Sequence, residues 1–248
     1  MGTLDRHRTE WEELAELDPL WAILSDPSRR FGRWKLDEFF ATGEREIEAA
    51  LARAETHGLP RRHEIAVDLG CGVGRLSRAL ATRFGNVHGI DISERMVATA
   101  RRLSRDLPNC HFHVNADPAL SEFDDAAVDL VYSVLVLQHM PTRSTIEAYL
   151  RSMMRILRPG GIAMFQLPSH VPFRRRLQPR RRAYQVLRRL GFSSVFLYRR
   201  LGLAPMRLTF VSEARVRSLV VEAGREVIES VRDDRAGPGV ESRTYLVR

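Results

Sequence analysis

Cysteine is scarce: only Cys71 and Cys110 occur in 248 residues, without the spacing of a metal-ligand set or the number a disulfide framework needs. A stapled secreted scaffold is therefore excluded, no metal is assigned, and a reducing, cytoplasmic compartment is expected. Long apolar runs are also missing. None approaches the roughly 18 residues that a helical membrane span requires. The charged stretch 1–18 has no continuous apolar segment or small-residue cleavage site, so no secretory leader is expected. Lysine is nearly absent as well, Lys35 standing alone against 38 arginines, so the position of the positive charge is more informative than its guanidinium identity. One further absence is local: 169–208 contains no aspartate or glutamate but eleven arginines. Of the net +8, +11 therefore sits in that segment and −3 in the rest of the chain.

What is present fits one sizeable core. Hydrophobic residues make up 44% and charged residues 28%, close to the average soluble domain, which favours a single α/β unit with elaborations over two equal domains. The first sixty residues look helical and hold all three tryptophans, with breaks at Asp18-Pro19 and Asp26-Pro27, where the residue before proline resists the helical region. A firmer helix is expected after Thr42-Gly43, with Ile47, Ala50, Leu51 and Ala54 on one face and His57-Gly58 as its stop.

From Glu64 onward strands and helices alternate, as in a parallel sheet covered on both faces. The expected strands are 65–68, 87–91, a third with Phe112 and Val114 on one face, 128–134, 162–167, 226–231 and 243–247. Ser93 and Ser212 are placed to cap helices, and Ser144 with Glu147 forms a capping box for a third, which Pro159-Gly160-Gly161 should end.

In such sheets ligands bind beyond the carboxyl ends of the strands, where strand order reverses. After the first strand, Gly70, Gly72 and Gly74 strip side chains from a turn that opens a helix, so backbone can lie against a nucleotide-like ligand. After the second comes Asp91, at a distance from Asp68 suited to a carboxylate that accepts ribose hydroxyls. A dinucleotide fingerprint would place its third glycine at position 75, which is Arg75, so a nicotinamide-dependent oxidoreductase fits less well.

These residues carry a family resemblance. The run Val67-Asp68-Leu69-Gly70-Cys71-Gly72-Val73-Gly74 resembles the first motif of class I S-adenosylmethionine-dependent methyltransferases. Gly89-Ile90-Asp91-Ile92-Ser93 resembles their second, and Leu157-Arg158-Pro159-Gly160-Gly161 the turn before their fifth strand. Between them, Asp129 to Ser133 and Gln138-His139-Met140-Pro141 are similar to the segment after strand four in small-molecule members.

The resemblance implies a Rossmann-like three-layer αβα sandwich with a mostly parallel seven-stranded sheet, an N-terminal helical cap at 1–60 and a cofactor-binding core at 61–168. A basic helical insertion at 169–208 would serve as lid or acceptor pocket, and 209–248 would complete the core. It implies S-adenosyl-L-methionine as cofactor, with Asp68, Gly70, Cys71, Gly72, Gly74, Asp91, Ile92, Asn115, Ala116, Asp117 and Ser133 around it. Within that set Gly70 and Gly72 would meet the methionine part, Asp91 the ribose and Asp117 the adenine amino group. Pro118 cannot supply the backbone N–H that the family often uses beside that acid, which leaves Asn115 as an alternative. Asp117 is otherwise a turn residue, and Asp68 otherwise an acid bonded to loop N–H groups.

A sulfonium methyl needs mainly a positioned acceptor, and a base only where the acceptor arrives protonated. His139 is the first candidate and His170 the second, either of which can instead simply shape the pocket. Trp34, Phe39, Phe40, Thr42 and Gly43 either fold over the cofactor or belong to the core. The expected acceptor is a small molecule bearing oxygen or nitrogen: a natural product, a sugar or a lipid-like compound, anionic in one reading. Nucleic acid is disfavoured, because no Asn-Pro-Pro-Tyr-like element follows strand four. The basic segment leaves open an acidic carrier protein or a peripheral membrane surface as partner. A noncatalytic cofactor-binding sensor or scaffold is the remaining alternative.

Overall fold

A computed structural model describes residues 2–248; Met1, the first position of the expected cap, lies outside the described residues. The chain opens with α1 (Thr3–Leu17) and α2 (Pro19–Ile23), a short 3-10 turn, and α3 (Leu36–Glu55). The core runs β1 (Ile65–Leu69), α4 (Arg75–Ala81), β2 (Asn86–Asp91), α5 (Glu94–Leu103), β3 (Cys110–Val114), β4 (Val128–Ser133), α6 (Arg143–Ile156) and β5 (Leu157–His170). Three helices follow as an insertion, α7 (Phe173–Arg176), α8 (Pro179–Arg189) and α9 (Ser194–Leu201), and then α10 (Glu213–Glu222), β6 (Val227–Asp233) and β7 (Glu241–Val247).

The seven strands lie in the order β3-β2-β1-β4-β5-β7-β6, parallel except for β7, which is antiparallel to both β5 and β6. Strand order reverses between β1 and β4, so the crevice beyond their carboxyl ends is where a ligand is expected. Alternation along the strands feeds two cores. Ala66, Leu130, Tyr132 and Met164 pack under α3 and α4, while Val67, Val131, Ala163 and Phe165 pack under α6 and α10. Among the described residues no helix is long and apolar enough to cross a membrane.

Several local expectations are corrected. Thr42-Gly43 does not start a helix but lies inside α3, because a side chain at Gly43 would overlap the carbonyl of Arg75 on α4. The glycine is there for close helix contact. Thr142 caps α6, accepting from Thr145 N at 3.1 Å, since it is Thr142 that has the extended backbone of a cap residue; Ser144 already lies in the first turn. The helix before Pro159-Gly160-Gly161 does end, at Ile156, but β5 begins at once with Leu157, so these three residues form an irregularity within the strand, where the register against β4 shifts between Val128 and Leu130. Val114 does not share the burial of Phe112; it ends an edge strand and is exposed. Ser93 and Ser212 do cap their helices, and Asp18, at the expected break, also caps α2.

Candidate active site

The loop after β1 is pinned to β2. Gly70 N and Cys71 N both donate to the Ile90 carbonyl, at 2.7 and 2.9 Å, and Gly72 N donates to Asp91 Oδ2 at 2.9 Å. Gly70 and Gly72 have φ of +80° and +54°, left-handed values that a side chain resists. The other carboxylate oxygen of Asp91 accepts from Ser93 N at 2.9 Å. Burial pushes the Asp91 carboxyl up to about 6, against the pull of those N–H groups from Ser93 and Gly72.

This loop forms one wall of a narrow cavity of about 70 Å³, together with Leu69, Ile90, Ile92, Met96, Asn115 and Tyr149. The opposite wall comes from the N-terminus: Leu4, His7 and Trp11 of α1, and Ala22 and Ile23 of α2. Burial, then His139, Arg207 and Arg181, hold the His7 imidazole down to about 3, so it is neutral. The polar groups suit a ribosyl ligand: an accepting carboxylate, Asp91, at the end of β2, an amide at Asn115, and apolar side chains around them. The width is small because side chains occupy the turn. A Cβ on Gly72 would meet Ile23 and one on Gly70 would meet Val136, so these two side chains fill the space directly over the turn.

A second cavity of about 870 Å³ shares Ala22, Ile23 and Leu135 with the first. Its rim includes Trp34, His139, Met206, Arg207 and the insertion arginines Arg174, Arg175, Arg180 and Arg181. His139 is half-buried and packs edge-on to Trp11, with ring centroids 5.5 Å apart. Its Nδ1 sits 2.6 Å from the Arg207 carbonyl and so carries the proton, donating to it. The other nitrogen, Nε2, then accepts from Gln138 Nε2 at 3.2 Å. Gln166 donates to Gln138 Oε1 at 3.4 Å and accepts from Leu135 N at 3.2 Å, so one hydrogen-bond polarity runs through the whole chain. Burial lowers the His139 pKa, opposed by the bond to Arg207.

Of the residues expected around a cofactor, Gly70, Gly72, Asp91, Ile92 and Asn115 meet at the narrow cavity. The others do not line it. Asp68 is buried and accepts from Ser77 Oγ at 2.6 Å, and burial raises its pKa to about 6. Ser133 Oγ donates to the Leu69 carbonyl at 3.0 Å, tying β4 to β1. Cys71 packs with Val97, Ala100 and Phe112, while Gly74 is the cap residue of α4. Ala116 is half-buried in the turn after β3.

Asp117 is exposed and its carboxylate is engaged by its own turn, accepting from Ala119 N at 2.9 Å and Ser121 Oγ at 2.7 Å, so the turn-residue reading describes it. Asn115 itself donates to Glu122 at 2.6 Å. His170 is exposed at the end of β5, off both cavities. The aromatic stretch does not cover the narrow cavity: Phe39 is core, Trp34 lines the larger cavity, and α1 and α2 supply the cover. His7, Trp11, Ile23 and Arg207 were not found from sequence. The tryptophan-rich N-terminus was the one available signal for part of that set.

Comparison with known proteins is concentrated on this same segment. A family described as a methyltransferase domain matches residues 66–161. A 2-methyl-6-phytyl-1,4-hydroquinone methyltransferase from Synechocystis sp. is 39% identical over 97 residues, covering 39% of this chain and 29% of that protein. A trans-aconitate 2-methyltransferase from Deinococcus radiodurans is 34% identical over 140 residues, covering 55% and 50%. The chain thus spans at most half the length of these relatives. Among solved structures, magnesium protoporphyrin IX methyltransferase from Synechocystis with bound SAH superposes with a TM-score of 0.64 at 20% identity, covering 99% of each chain. The cyclase SpnF also matches, with a TM-score of 0.51 at 17% identity over 75% of each chain, so the fold alone does not define the reaction. Residues 66–161 thus match a methyltransferase domain, and the seven-stranded sheet with a single reversed strand has the fold of class I S-adenosylmethionine-dependent methyltransferases.

Proposed function

We propose that the chain transfers a methyl group from S-adenosylmethionine to an oxygen or nitrogen of a small molecule, such as a natural product, a sugar or a lipid-like compound. The observation that carries this reading is the adjacency of two cavities, one walled by the glycine loop and Asp91 and the other by His139, divided by Ile23 and Leu135. When bound, the cofactor supplies a methyl already activated on sulfonium sulfur.

The rest is the work of the chain. Gly70 and Gly72 present backbone to the methionine part, Asp91 accepts the ribose hydroxyls, and Ile92 and Asn115 face the base. Trp11 and Ile23 exclude water from above. His139 holds an unprotonated Nε2, and an acceptor hydroxyl that takes the place of the Gln138 amide can pass its proton there. The insertion 169–208 acts as the acceptor lid and 1–60 as the cap of a core that belongs in the cytoplasm. The arginines on the rim of the larger cavity support an acceptor with an acidic group. Relatives named for a phytyl hydroquinone and for trans-aconitate support the small-molecule class.

The test is calorimetric titration with S-adenosylmethionine and with a nicotinamide dinucleotide, followed by an acceptor panel read by S-adenosylhomocysteine release. Binding of the first alone and turnover on an acidic or amphiphilic acceptor are expected. Dinucleotide binding would overturn the cofactor assignment. Binding without turnover across the panel would leave a sensor or scaffold.

A further inference from the structure

The insertion has two chemically different sides. On the inner side of α8, Arg181, Tyr184 and Arg188 recur at helical spacing and meet α1. Arg181 pairs with Glu10 at 2.6 Å, Arg188 pairs with Glu13 at 2.6 Å, and Tyr184 donates to Glu13 at 2.5 Å. Arg176, Arg180 and Arg207 are likewise bonded, to the carbonyls of Val171, Gly202 and Pro141. The other six arginines, Arg174, Arg175, Arg182, Arg189, Arg199 and Arg200, are exposed, and among the described residues their guanidinium groups have no hydrogen-bond or ion-pair partner.

The same segment carries the exposed apolar surface. Of thirteen large hydrophobic side chains exposed in the described residues, eight fall between Phe173 and Leu201. Phe173 is 72% exposed and Leu190 69%, well beyond what scattered surface hydrophobics require. On the outer side of α8 the spacing sets both Arg182 (i, i+4) and Arg189 (i, i+3) beside Val186, with Leu190 exposed just past the helix end. Phe192 and Phe196 stack with centroids 5.7 Å apart, and Arg199 and Arg200 continue along α9. No acidic residue interrupts this face.

The chemistry selects among occupants. A second copy in a two-fold arrangement would press unpartnered arginines against one another. A nucleic-acid backbone would reward the charge but leave the phenylalanines and leucines without a partner. An interface that offers anionic headgroups above acyl chains satisfies both, with guanidinium groups at the headgroup level and apolar side chains just beneath.

We propose that the outer face of α8 and α9 docks this protein onto an anionic lipid bilayer. The docking stands on this surface and not on the methyl-transfer reading. Only its use, giving an amphiphilic acceptor a route past Arg174 and Arg175 into the larger cavity, rests on that reading.

The test is co-sedimentation of the full chain, without cofactor, with vesicles of phosphatidylcholine alone and of phosphatidylcholine mixed equally with phosphatidylglycerol. Binding to the mixed vesicles that weakens with added salt is expected. Replacing both Phe192→Ala and Phe196→Ala should lower partitioning by about tenfold or more. Replacing Arg199→Ala or Arg200→Ala should lower it roughly fivefold each, on anionic vesicles only. Unchanged thermal unfolding of these surface variants separates lost docking from lost folding. No partitioning to the mixed vesicles, equal partitioning of the variants, retention on duplex DNA or an acidic protein in place of vesicles, or concentration-dependent dimerisation through this face overturns the proposal. Because cofactor titration is a separate measurement, failure here leaves the methyltransferase reading intact, and the reverse.

Discussion

The glycine loop and the roof above it face each other across one narrow cavity, yet different forces hold them. The loop is positioned by backbone: Gly70, Cys71 and Gly72 donate to Ile90 and Asp91 on the neighbouring strand, so its shape follows from the sheet register. The roof is positioned by side-chain charge across long sequence separation. Glu10 on α1 meets Arg181 on α8, 171 residues away, and Asp18 accepts from Tyr198 on α9 at 2.8 Å. Two of the eleven arginines of 169–208, Arg181 and Arg188, are therefore neutralised by acids of the cap. The difference predicts where motion belongs: on ligand entry Ile23 and α1 are expected to withdraw before the backbone-bonded loop shifts.

Breaking the floor should have the largest effect. Asp91→Ala removes a carboxylate offering two charge-assisted hydrogen bonds, so cofactor affinity should fall by about 3–6 kcal/mol, or roughly a hundredfold to ten-thousandfold, by calorimetry. Unchanged affinity would mean that the floor does not bind the ribose.

At the border between floor and roof, His139→Ala should lower kcat by about a hundredfold or more with little change in KM, if a protonated acceptor gives its proton to Nε2. A conserved kcat would reduce this histidine to a wall of the cavity.

A smaller effect is expected from the roof itself. The Glu10–Arg181 pair is mostly buried, with side chains 13% and 12% exposed, so Glu10→Ala should destabilise the cap by about 2–3 kcal/mol. Hydrogen exchange should quicken in α1 and α8 while β1, β2 and β4 keep their protection. Equal loosening of the sheet would mean that roof and floor unfold together.

The smallest effect sharpens the contrast by pH. Asp91 is raised from its ordinary 3.8 to about 6, so its contribution is complete below the ordinary value and lost as pH rises through about 6. His7 is lowered from 6.5 to about 3, so its contribution is present above 6.5 and lost as pH falls toward 3. Relative to the parent chain, Asp91→Asn should gain stability as pH rises through about 6, and His7→Gln should gain as pH falls below about 6.5, each by about 2 kcal/mol or less in thermal unfolding. Parallel pH profiles for both variants would erase the distinction. Cofactor affinity should weaken as pH falls through about 6 in the parent, because protonation removes the accepting carboxylate, and the Asp91→Asn variant should lose that dependence.

Local spacing was enough to place the glycine loop, Asp91, the Ser93 and Ser212 caps and the order of strands and helices. Each of these rests on a hydrogen bond within a few residues or on an apolar period that the chain carries in itself. The same spacing left Asp117 open, because an acid before proline at a strand end suits both a ligand and a turn; in the structure the nearest donors, Ala119 N and Ser121 Oγ, engage it. It misjudged Gly43, whose reason is a helix packed against it from outside its own segment.

The sequence by itself determined the family fold and the chemistry available at the ends of β1 and β2, since backbone conformation and strand alternation are short-range properties. Only the tertiary structure decided that α1 roofs the cavity, that His139 is held as one tautomer by a carbonyl 68 residues away, and which arginines face inward. Those outcomes depend on which distant surfaces come into contact, and contact between surfaces has no period along the chain.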